Sequence, residues 1–479
     1  MTKNKSNSTV VVDLDGTLVL TDMLVENLFL FLRTFPLRIF SVFAWIFGGK
    51  ANLKIRLADA VLPSASRLPY NQALLQWLEQ RRGAGARLVL ATASDQRIAR
   101  LVADHLGIFD EVMGTTAGLN LSASNKRNAL ISRFGAGNFE YVGNGAADLK
   151  VWDAASVIHV ANPDRGVLAA ARKLGEVGEV FDTRPSYLKT LLKGLRVHQW
   201  AKNLLVFVPL IAAHQIFALP QLGHGVIAFA AFSLCASSVY LLNDLLDLQD
   251  DRAHRSKRHR PLAAGTMSVL HALFIMPALL ILAFVLAALF LPWAFSGVLA
   301  AYYLLTLAYS LRLKRVVMLD VVTLAMLYTV RVIAGAVAMS TQPTFWILAF
   351  CVFIFLSLAF VKRYTELYDA RSQGNVQKAA GRGYYPADFE LLASLGGASG
   401  YISVMVLALY INEATPAGLY KHPEWMWAAC PLLLYWLSRV WLLAHRGEMH
   451  DDPIVFALRD RVSRWVGVLF LLTFTLAAL

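Results

Sequence analysis

The sequence has few cysteines and few charged residues for its length. Its three cysteines, Cys235, Cys351 and Cys430, all lie in apolar stretches, so neither a disulfide framework nor a thiolate metal site is indicated. Charged residues make up 16% of the 479 residues and apolar residues 57%, which excludes a purely soluble protein. The N-terminus lacks the apolar core and cleavage site of a signal peptide, so we expect the first part of the chain to stay in the cytoplasm.

Acidic residues are scarce relative to basic ones, and the formal net charge is +13. Such an excess can reflect nucleic-acid binding. Here most of the basic residues lie in loops between apolar segments, where anionic lipid and phosphorylated substrates supply the negative charge. We therefore predict no nucleic-acid partner.

The chain divides into two unlike parts near Pro185. Before this point, helical stretches alternate with short aliphatic runs at 10–12, 88–90, 141–142 and 157–160. This alternation is typical of an α/β domain. After it, long apolar segments dominate. We predict an α/β domain over residues 1–185 and an all-α polytopic membrane domain over residues 186–479.

The second part contains nine apolar segments close to the ~20 residues that a bilayer requires. They lie near 203–219, 222–242, 270–290, 292–311, 318–339, 344–361, 395–412, 425–443 and 464–479. Lys and Arg collect in the loops after segments two, four, six and eight, whereas the alternate loops hold only Lys421. Because basic loops stay on the cytoplasmic side, we predict nine spans in the cytoplasmic membrane, with the first domain inside and the C-terminus outside.

One stretch of the first part, residues 24–47, is almost apolar enough to span. Four of its residues disfavour a crossing: Glu26, Arg33, Pro36 and Arg38. A crossing would also separate Asp13 from Thr92, which the motifs described below bring together. We expect this stretch to lie on the bilayer surface or to pack against the membrane domain.

An acidic cluster follows the second apolar segment, at the edge of the predicted membrane. If the cluster is helical, Asp244, Asp247 and Asp251 are spaced i, i+3 and i+7 and share one face. Like charges on one face repel, and a hard divalent cation relieves the repulsion. Mg²⁺ held by a few carboxylates fills its other positions with water and phosphate oxygens. The cluster therefore predicts a Mg²⁺-bound phosphorylated substrate at a membrane surface.

Four motifs in the first domain resemble those of the haloacid dehalogenase (HAD) phosphatases. Asp13-Leu-Asp15-Gly-Thr follows a valine-rich strand, and Thr92, Lys126 and a Gly-Asn pair come after it in the family's order. The resemblance implies a Rossmann-like α/β fold with a cap inserted after the first strand, over about residues 20–85. It also implies that Asp13 attacks phosphorus and that Asp15 acts as general acid and base. Thr92 and Lys126 would hold the phosphoryl group.

The same resemblance implies a Mg²⁺ site, with one departure from the family pattern. The ion would lie among Asp13, the Asp15 carbonyl and the fourth motif, which usually begins Gly-Asp and here reads Gly143-Asn144. An amide oxygen can coordinate Mg²⁺ but offsets less charge, and Asp148 could compensate. The domain is either an active phosphatase or an inactive scaffold. We predict activity, because the other motif residues are all present.

The acidic cluster resembles the first Asp-rich motif of the UbiA-superfamily prenyltransferases, in which this motif binds Mg²⁺-diphosphate. Its position after the second of nine segments fits that architecture. The second acidic motif of that superfamily is thinned here to Glu366 and Asp369, preceded by Lys362 and Arg363. The change predicts a site that holds more phosphate than one diphosphate. Whether Glu366 and Asp369 share a second Mg²⁺ stays open.

The resemblance narrows to the decaprenyl-phosphate phosphoribosyltransferases of the superfamily. The residues that carry it lie at 196–203 and 309–314 and at Asp320 and Arg331. Members of this group would bind three phosphate-bearing groups: a leaving diphosphate, a ribose 5-phosphate and a lipid phosphate. The residues that we predict to bind substrate are Lys202, Asn243, Lys257, Arg258, Arg260, Arg312, Asp320, Arg331, Lys362 and Arg363. Asp320 and Arg331 are eleven residues apart on one predicted helix, and their alternative role is pairing with each other or with neighbours.

These observations predict a bifunctional, Mg²⁺-dependent membrane enzyme. The membrane domain would transfer 5-phosphoribose from phosphoribosyl diphosphate to a polyprenyl phosphate, and the first domain would remove the 5-phosphate. The product, polyprenyl phosphoryl ribose, would serve pentose transfer to a glycan. One alternative is an aromatic prenyltransferase that consumes a polyprenyl diphosphate, with an unrelated or inactive HAD domain. Another is a transporter or lipid-binding scaffold, whose site is expected near the bilayer midplane rather than at its edge.

Overall fold

Two compact units make up the chain. A computed structural model describes residues 8–213, 218–254, 257–372, 383–414, 420–449 and 452–479. The first unit comprises residues 1–195 and 241–275, and the second comprises residues 196–240 and 276–479. The acidic cluster, which we had assigned to the membrane domain, therefore belongs to the first unit by its contacts.

A six-stranded parallel sheet forms the centre of the first unit, with the strand order β3-β2-β1-β4-β5-β6. The strands are β1 (Thr9–Val12), β2 (Arg87–Asp95), β3 (Glu111–Thr115), β4 (Phe139–Gly143), β5 (Val157–Ala161) and β6 (Val177–Phe181). Successive side chains of β1 point to opposite faces: Val10 and Val12 join one apolar cluster, whereas Val11 joins another. Both faces of the sheet are therefore covered.

The strand order switches sides at β1, while all strands stay parallel. Strands β2 and β3 extend the sheet on one side of β1, and β4 pairs with its other side. Loops that follow neighbouring strands on either side of such a switch point form a crevice at the carboxyl ends of the strands. The first HAD motif follows β1, Thr92 lies on β2, and Asn144 follows β4, so the fold brings the motifs to one edge.

Helices connect these strands and follow the last of them. They are α1 (Met23–Thr34), α2 (Ile39–Phe47), α3 (Lys50–Ala60), α4 (Gln72–Gly83), α5 (Gln96–Leu106), α6 (Ala123–Phe134), α7 (Leu149–Trp152), α8 (Val167–Leu174) and α9 (Tyr187–Gly194). Helices α1 to α3 enclose a small core of their own, formed by Phe31, Val42, Leu53 and Leu57. The cap predicted over residues 20–85 thus falls on a helical insertion between β1 and β2; its role as a cap stays a prediction.

Long apolar helices dominate the rest of the chain. They begin with α10 (Val208–Ala212), α11 (Leu219–Leu246), α12 (Leu248–Ala253), α13 (Val269–Phe290), α14 (Trp293–Leu311) and α15 (Leu319–Ala338), and continue with α16 (Phe345–Ser372), α17 (Phe389–Ala414), α18 (Ala429–His445), α19 (Pro453–Arg459) and α20 (Arg461–Ala478). Within the described ranges, eight helices are long and apolar enough to cross a membrane: α11, α13 to α18, and α20.

The first of the nine predicted spans, at 203–219, is not confirmed. Residues Val197–Phe207 form a 3₁₀ helix, the short helix α10 follows, and residues 214–217 lie outside the described part of the chain. Polar side chains in the 3₁₀ segment have fixed partners: Trp200 Nε1 donates to Ser237 Oγ (2.9 Å) and Asn203 Nδ2 to Ser233 Oγ (3.0 Å). These contacts hold the segment in a tighter conformation than its apolar composition predicts.

Gly335 allows this 3₁₀ segment to approach α15. A Cβ at position 335 would overlap the backbone carbonyl of Val206, and backbone cannot move aside as a flexible side chain can. We expect Gly335→Ala to lower the thermal midpoint of the detergent-solubilised protein, at a cost of about 1–3 kcal/mol for overpacking. Gly297→Ala on α14 is the control, since a Cβ there meets no atom within 4 Å. Equal midpoints for the two variants would contradict the close approach.

Candidate functional site

Asp13 stands at the end of β1 with a lysine against its carboxylate. Its Oδ1 accepts a hydrogen bond from Leu14 N (2.8 Å), and Lys126 Nζ lies 2.9 Å from the same atom. Asp13 and Lys126 are both buried. Lys126 comes from α6, so the pair joins the first and third HAD motifs. A buried carboxylate beside a fixed ammonium suits a nucleophile that accepts a phosphoryl group.

Asp15 is fixed by three donors from two elements. Its Oδ2 accepts hydrogen bonds from Ser94 Oγ (2.7 Å) and Thr92 Oγ1 (3.3 Å), both on β2. Its Oδ1 accepts one from the backbone N–H of Met23 (2.7 Å), at the start of α1. The predicted general acid is therefore positioned against the second motif, and the first turn of α1 is tied to it. Ser94 was not predicted, because the motif pattern marks only Thr92.

The fourth motif contacts the first where the Asn144 side chain lies close to the backbone of Gly16. Asn144 Oδ1 accepts a hydrogen bond from Thr17 Oγ1 (3.3 Å). Gly16 has a φ of +71°, and a Cβ there would overlap the Asn144 side-chain amide. Only glycine combines this left-handed backbone with the available space.

Asp148 holds the loop that carries Asn144. Its Oδ2 accepts hydrogen bonds from the backbone N–H groups of Asn144 (2.9 Å) and Gly145 (3.0 Å), and its Oδ1 accepts one from Tyr141 OH (2.8 Å). Tyr141 OH in turn accepts one from Lys126 (2.9 Å). Since both oxygens of Asp148 have protein donors, this geometry favours a positioning role over the direct metal contact that the sequence suggested. Tyr141 was not predicted as part of the site.

The electrostatics of the site follow from burial of several charges. Burial raises the pKa of Asp13 to about 7, with Lys126 acting in the opposite direction. Burial also raises the pKa of Asp15. For Lys126, burial lowers the pKa, but Asp13 and Asp148 outweigh it, so the net pKa is raised and the ammonium stays charged. A bound divalent cation would favour the ionised form of Asp13 that a nucleophile requires.

A lysine of the helical insertion reaches the same region. Lys54 on α3 donates from Nζ to the backbone carbonyl of Ala93 (2.6 Å), between Thr92 and Ser94. Burial lowers the pKa of Lys54. No sequence motif marks this residue, since it lies in the least regular part of the family pattern.

The oxygen donors at this site suit Mg²⁺. The Asp13 carboxylate, the Asp15 carbonyl and the Asn144 amide oxygen are all hard ligands, and a few protein oxygens with water and phosphate are the usual Mg²⁺ environment. Across the described ranges, no three His, Cys, Asp or Glu side chains converge as a ligand group.

The acidic cluster and the basic residues after it, at positions 243–260, are called the Asp-rich segment. This segment is not one continuous helix. Helix α11 ends at Leu246, Asp247 caps the start of α12, and Asp251 lies on α12. Nevertheless Asp247 N donates to Asn243 O (2.9 Å) and Asp251 N to Asp247 O (2.8 Å), so the two helices keep nearly the predicted phase. The three aspartates therefore keep nearly the predicted spacing, but they do not lie on the single helix that the sequence predicts.

Two of the three predicted carboxylates meet at one cation. Asp244 and Asp251 are each 2% exposed, and Arg260 Nη1 lies 3.2 Å from Asp244 Oδ1 and 2.5 Å from Asp251 Oδ2. Asn243 Oδ1 is buried without a partner among the described residues. Arg260 stands where a divalent cation would neutralise these carboxylates, so the donor set fits Mg²⁺.

The Asp-rich segment also contacts α1 within the first unit. Arg252 Nη2 and Nη1 bind Glu26 Oε1 (2.6 Å) and Oε2 (3.0 Å), and both side chains are at most 4% exposed. Thr21 Oγ1 donates to Glu26 Oε1 (2.9 Å). An exposed pair, Arg33 and Asp250 (2.7 Å), joins the same two elements. The buried bidentate pair fixes the segment one residue after Asp251.

The second unit contains a basic pair held by a single acid. Lys202 Nζ lies 2.7 Å and Lys362 Nζ 3.1 Å from Asp452 Oδ2, and Tyr328 OH donates to the same oxygen (3.1 Å). Burial raises the pKa of Asp452, but Lys202 and Lys362 outweigh it and hold this pKa below its ordinary value. Asp452 was not predicted, since only the fold brings it to Lys202.

Arg363 pairs with Glu366, one of the two acids left in the second acidic motif, and with Asp320. Its Nε donates to Asp320 Oδ2 (2.5 Å), its Nη2 to Tyr309 OH (2.7 Å), and its Nη1 to Glu366. Tyr384 OH donates to the other oxygen of Asp320 (2.6 Å). Asp320 therefore pairs with neighbours rather than with Arg331, and Glu366 is paired with a cation instead of forming an open acidic site.

Arg331 is buried among other partners, and four further predicted residues lie on the surface. Arg331 Nε donates to Asn203 Oδ1 (2.8 Å) and its Nη2 to Tyr302 OH (2.9 Å), so it anchors the 3₁₀ segment. The predicted residues on the surface are Lys257, Arg258, Arg312 and Asp369. Substrate contact by these exposed residues stays a prediction.

Asp452→Asn should destabilise the protein strongly. The change removes the one negative charge of the Lys202–Asp452–Lys362 group. Breaking a buried ion pair lowers the free energy of unfolding by about 3–5 kcal/mol. The measurement is the thermal midpoint of the solubilised protein, with the exposed Asp369→Asn as control. A variant at position 452 that melts with the control would contradict the importance of the pairing.

Known proteins are similar either to most of this chain or to a part of it. An uncharacterized protein of Sinorhizobium fredii, y4nM, is 38% identical over 98% of this chain and 90% of its own length. A decaprenyl-phosphate phosphoribosyltransferase of Mycolicibacterium smegmatis is 29% identical over 58% of this chain and 91% of its own length. A HAD-family hydrolase of Salmonella enterica aligns with 37% of this chain and 68% of its own, at 14% identity and a TM-score of 0.27.

Residues 204–477 match the model of the UbiA prenyltransferase family. This range covers more than half of the chain, and the eight helices of the described ranges that could cross a membrane all begin within it. The chain therefore belongs to the UbiA prenyltransferase family.

Proposed function

We propose that this protein makes polyprenyl phosphoryl ribose in two steps. In the first step, 5-phosphoribose passes from phosphoribosyl diphosphate to a polyprenyl phosphate. In the second step, the HAD domain hydrolyses the 5-phosphate. The observation that carries the proposal is the pair Lys202 and Lys362, two cations of the second unit that share one acid, Asp452.

Two cations that share one acid favour a substrate with a phosphate group. Lys202 and Lys362 both lie against Asp452, so one positive charge of this group is left without an acidic partner in the group. Arg363 is balanced by Asp320 and Glu366. The charge left on Lys202 and Lys362 suits the 5-phosphate or the lipid phosphate.

The transfer step needs no covalent enzyme intermediate. A phosphate oxygen of the lipid attacks C1 of the ribose, the bond from C1 to the diphosphate oxygen breaks, and inorganic diphosphate leaves. Mg²⁺ at Asp244, Asp247 and Asp251 would neutralise charge on the leaving diphosphate. Asn243 and Arg260 border these carboxylates, and Lys257 and Arg258 follow on the same segment as candidate phosphate ligands.

Hydrolysis of the 5-phosphate uses the residues around Asp13. The Asp13 carboxylate attacks phosphorus while Asp15 donates a proton to the 5-oxygen of the ribose. Asp15 then takes a proton from water, which attacks the aspartyl phosphate and releases inorganic phosphate. Thr92 and Lys126 bind the transferring group, and Asp148 keeps Asn144 in place. A Mg²⁺ ion held by Asp13, the Asp15 carbonyl and Asn144 would offset phosphoryl charge.

The relatives and the domain fusion support the same reading. The Mycolicibacterium smegmatis relative is named a decaprenyl-phosphate phosphoribosyltransferase, and its reaction leaves a phosphomonoester on ribose. A phosphomonoester is the substrate type of HAD phosphatases, and an aromatic prenyltransferase would not produce one. With the loop charges, we also place both reactions on the cytoplasmic side of a nine-span protein in the cytoplasmic membrane.

The donor distinguishes this proposal from aromatic prenyl transfer. Membranes that contain the protein are incubated with polyprenyl phosphate and ribose-labelled phosphoribosyl diphosphate, or with a labelled polyprenyl diphosphate and 4-hydroxybenzoate. We expect label in lipid only from the first mixture, and only with Mg²⁺ present. Incorporation from the second mixture alone would overturn the proposal.

Glu26→Gln should weaken the response of the transferase to Mg²⁺. The variant loses the charge that pairs with Arg252, the residue after Asp251. Loosening of a segment that carries metal ligands should cost about 10-fold in metal affinity, the lower end of the 10–100-fold range for a direct outer-shell partner. We therefore expect a higher Mg²⁺ concentration for half-maximal transfer. Asp250→Asn is the matched control, because it breaks the exposed Arg33 pair between the same elements. Equal Mg²⁺ dependence of both variants would show that the buried pair does not position the segment.

A further inference from the structure

An apolar surface lies on the short helix α2 and the turn before it. We define the α2 surface as the exposed apolar side chains of Leu37, Phe40, Phe43, Ile46 and Phe47; Phe40 is 78% and Phe47 91% exposed. The opposite side of the helix packs inward through Val42, which joins the small core of α1 to α3. The surface of a soluble domain rarely carries three exposed phenylalanines within eight residues. Such an apolar patch indicates a binding surface.

The charge around the α2 surface identifies the partner. No acidic residue occurs between Glu26 and Asp59, whereas Arg33, Arg38, Lys50, Lys54 and Arg56 all fall in this interval. Cations therefore border the apolar helix on both sides along the sequence. Apolar side chains with basic neighbours are the combination that binds the interface of an anionic bilayer.

The length of α2 excludes a crossing. Its nine residues extend about 14 Å at 1.5 Å per residue, roughly half of the ~30 Å hydrocarbon core. Glycines at positions 48 and 49 separate it from α3. A helix of this length can lie in the headgroup region and insert its aromatic side chains.

We propose that the α2 surface binds the bilayer in which the same chain is anchored, with the phenylalanines in the acyl boundary and Arg38, Lys50 and Arg56 at anionic headgroups. The proposal does not depend on the enzymatic function. It has a structural consequence for the HAD domain, because α3 follows α2 directly and its Lys54 contacts the Ala93 carbonyl beside Thr92. Membrane contact would thereby hold the helical insertion at a fixed height over the bilayer.

The test measures the depth of single spin labels in full-length protein. Cys235, Cys351 and Cys430 are replaced by alanine, and a nitroxide is attached at Phe43→Cys or, as control, at Leu174→Cys. Leu174 is an apolar residue on α8 that is 44% exposed, against 56% for Phe43. The protein is reconstituted into vesicles of phosphatidylcholine and phosphatidylglycerol, and collisions with oxygen and with a water-soluble nickel complex are compared.

The expected result is that oxygen relaxes the label at position 43 more than nickel does, whereas nickel dominates at position 174. Preferential nickel access at both positions would overturn the proposal. Protection of position 43 from both reagents would also overturn it, since the α2 surface would then be covered by protein. A Phe40→Ser/Phe47→Ser variant should shift the label at position 43 toward nickel, with unchanged hydrolysis of a soluble phosphomonoester.

Discussion

Asp244→Asn should abolish ribosyl transfer in protein that still folds, because Arg260 keeps its contact with Asp251. The substitution keeps the shape of the side chain and removes one of the two carboxylates that surround Arg260. With less negative charge, the segment can no longer hold Mg²⁺ against the leaving diphosphate. Loss of a metal ligand should cost at least the ~10²-fold that loss of an outer-shell partner can cost.

Transfer of labelled ribose to lipid measures this effect. Asp250→Asn is the control, because this acid lies in the same segment but is 61% exposed at its side chain. The control should retain near wild-type transfer. If Asp244→Asn retained transfer to the same extent, the Asp-rich segment could not be the diphosphate site.

Asp13→Asn should abolish phosphatase activity and spare the transferase. The amide cannot attack phosphorus, and loss of a nucleophile that acts with its acid and base typically costs 10³-fold or more. The variant also frees Lys126 from one of its two carboxylate neighbours, which does not restore a nucleophile. Release of phosphate from a generic phosphomonoester with Mg²⁺ is the measurement.

Asp153→Asn serves as control for this variant, because the Asp153 side chain is 57% exposed and its ion-pair partner Arg127 is 39% exposed. Its phosphatase activity should match that of the wild type. Hydrolysis that survives Asp13→Asn would place the nucleophile elsewhere or assign the activity to a contaminant.

The central strands were predictable from sequence, and the edge strands were not. The runs at 10–12, 88–90, 141–142 and 157–160 correspond to β1, β2, β4 and β5, which lie in the middle of the sheet. Strands β3 and β6 lie at its edges, and they contain Gly114, Gly178 and Glu179 among their five residues each. Edge strands need less apolar surface, so their signal in the sequence is weak.

The residues around Asp13 were predictable as a group because motif order and parallel strand ends bring them together. Ser94, Tyr141 and Lys54 were not predictable, since their contacts depend on side-chain direction and on the position of the helical insertion. Asp452 lies 250 residues from Lys202, and no local pattern marks it. The 3₁₀ segment at 197–207 differs from the predicted span because its polar side chains bind partners on other helices.

The most direct test of the two-step proposal identifies the lipid product made by Asp13→Asn membranes. Wild-type and variant membranes receive ribose-labelled phosphoribosyl diphosphate, polyprenyl phosphate and Mg²⁺, and the labelled lipid is hydrolysed with mild acid. We predict ribose from the wild type and ribose 5-phosphate from the variant, in similar total amounts. Free ribose from both, or no labelled lipid from either, would contradict the account.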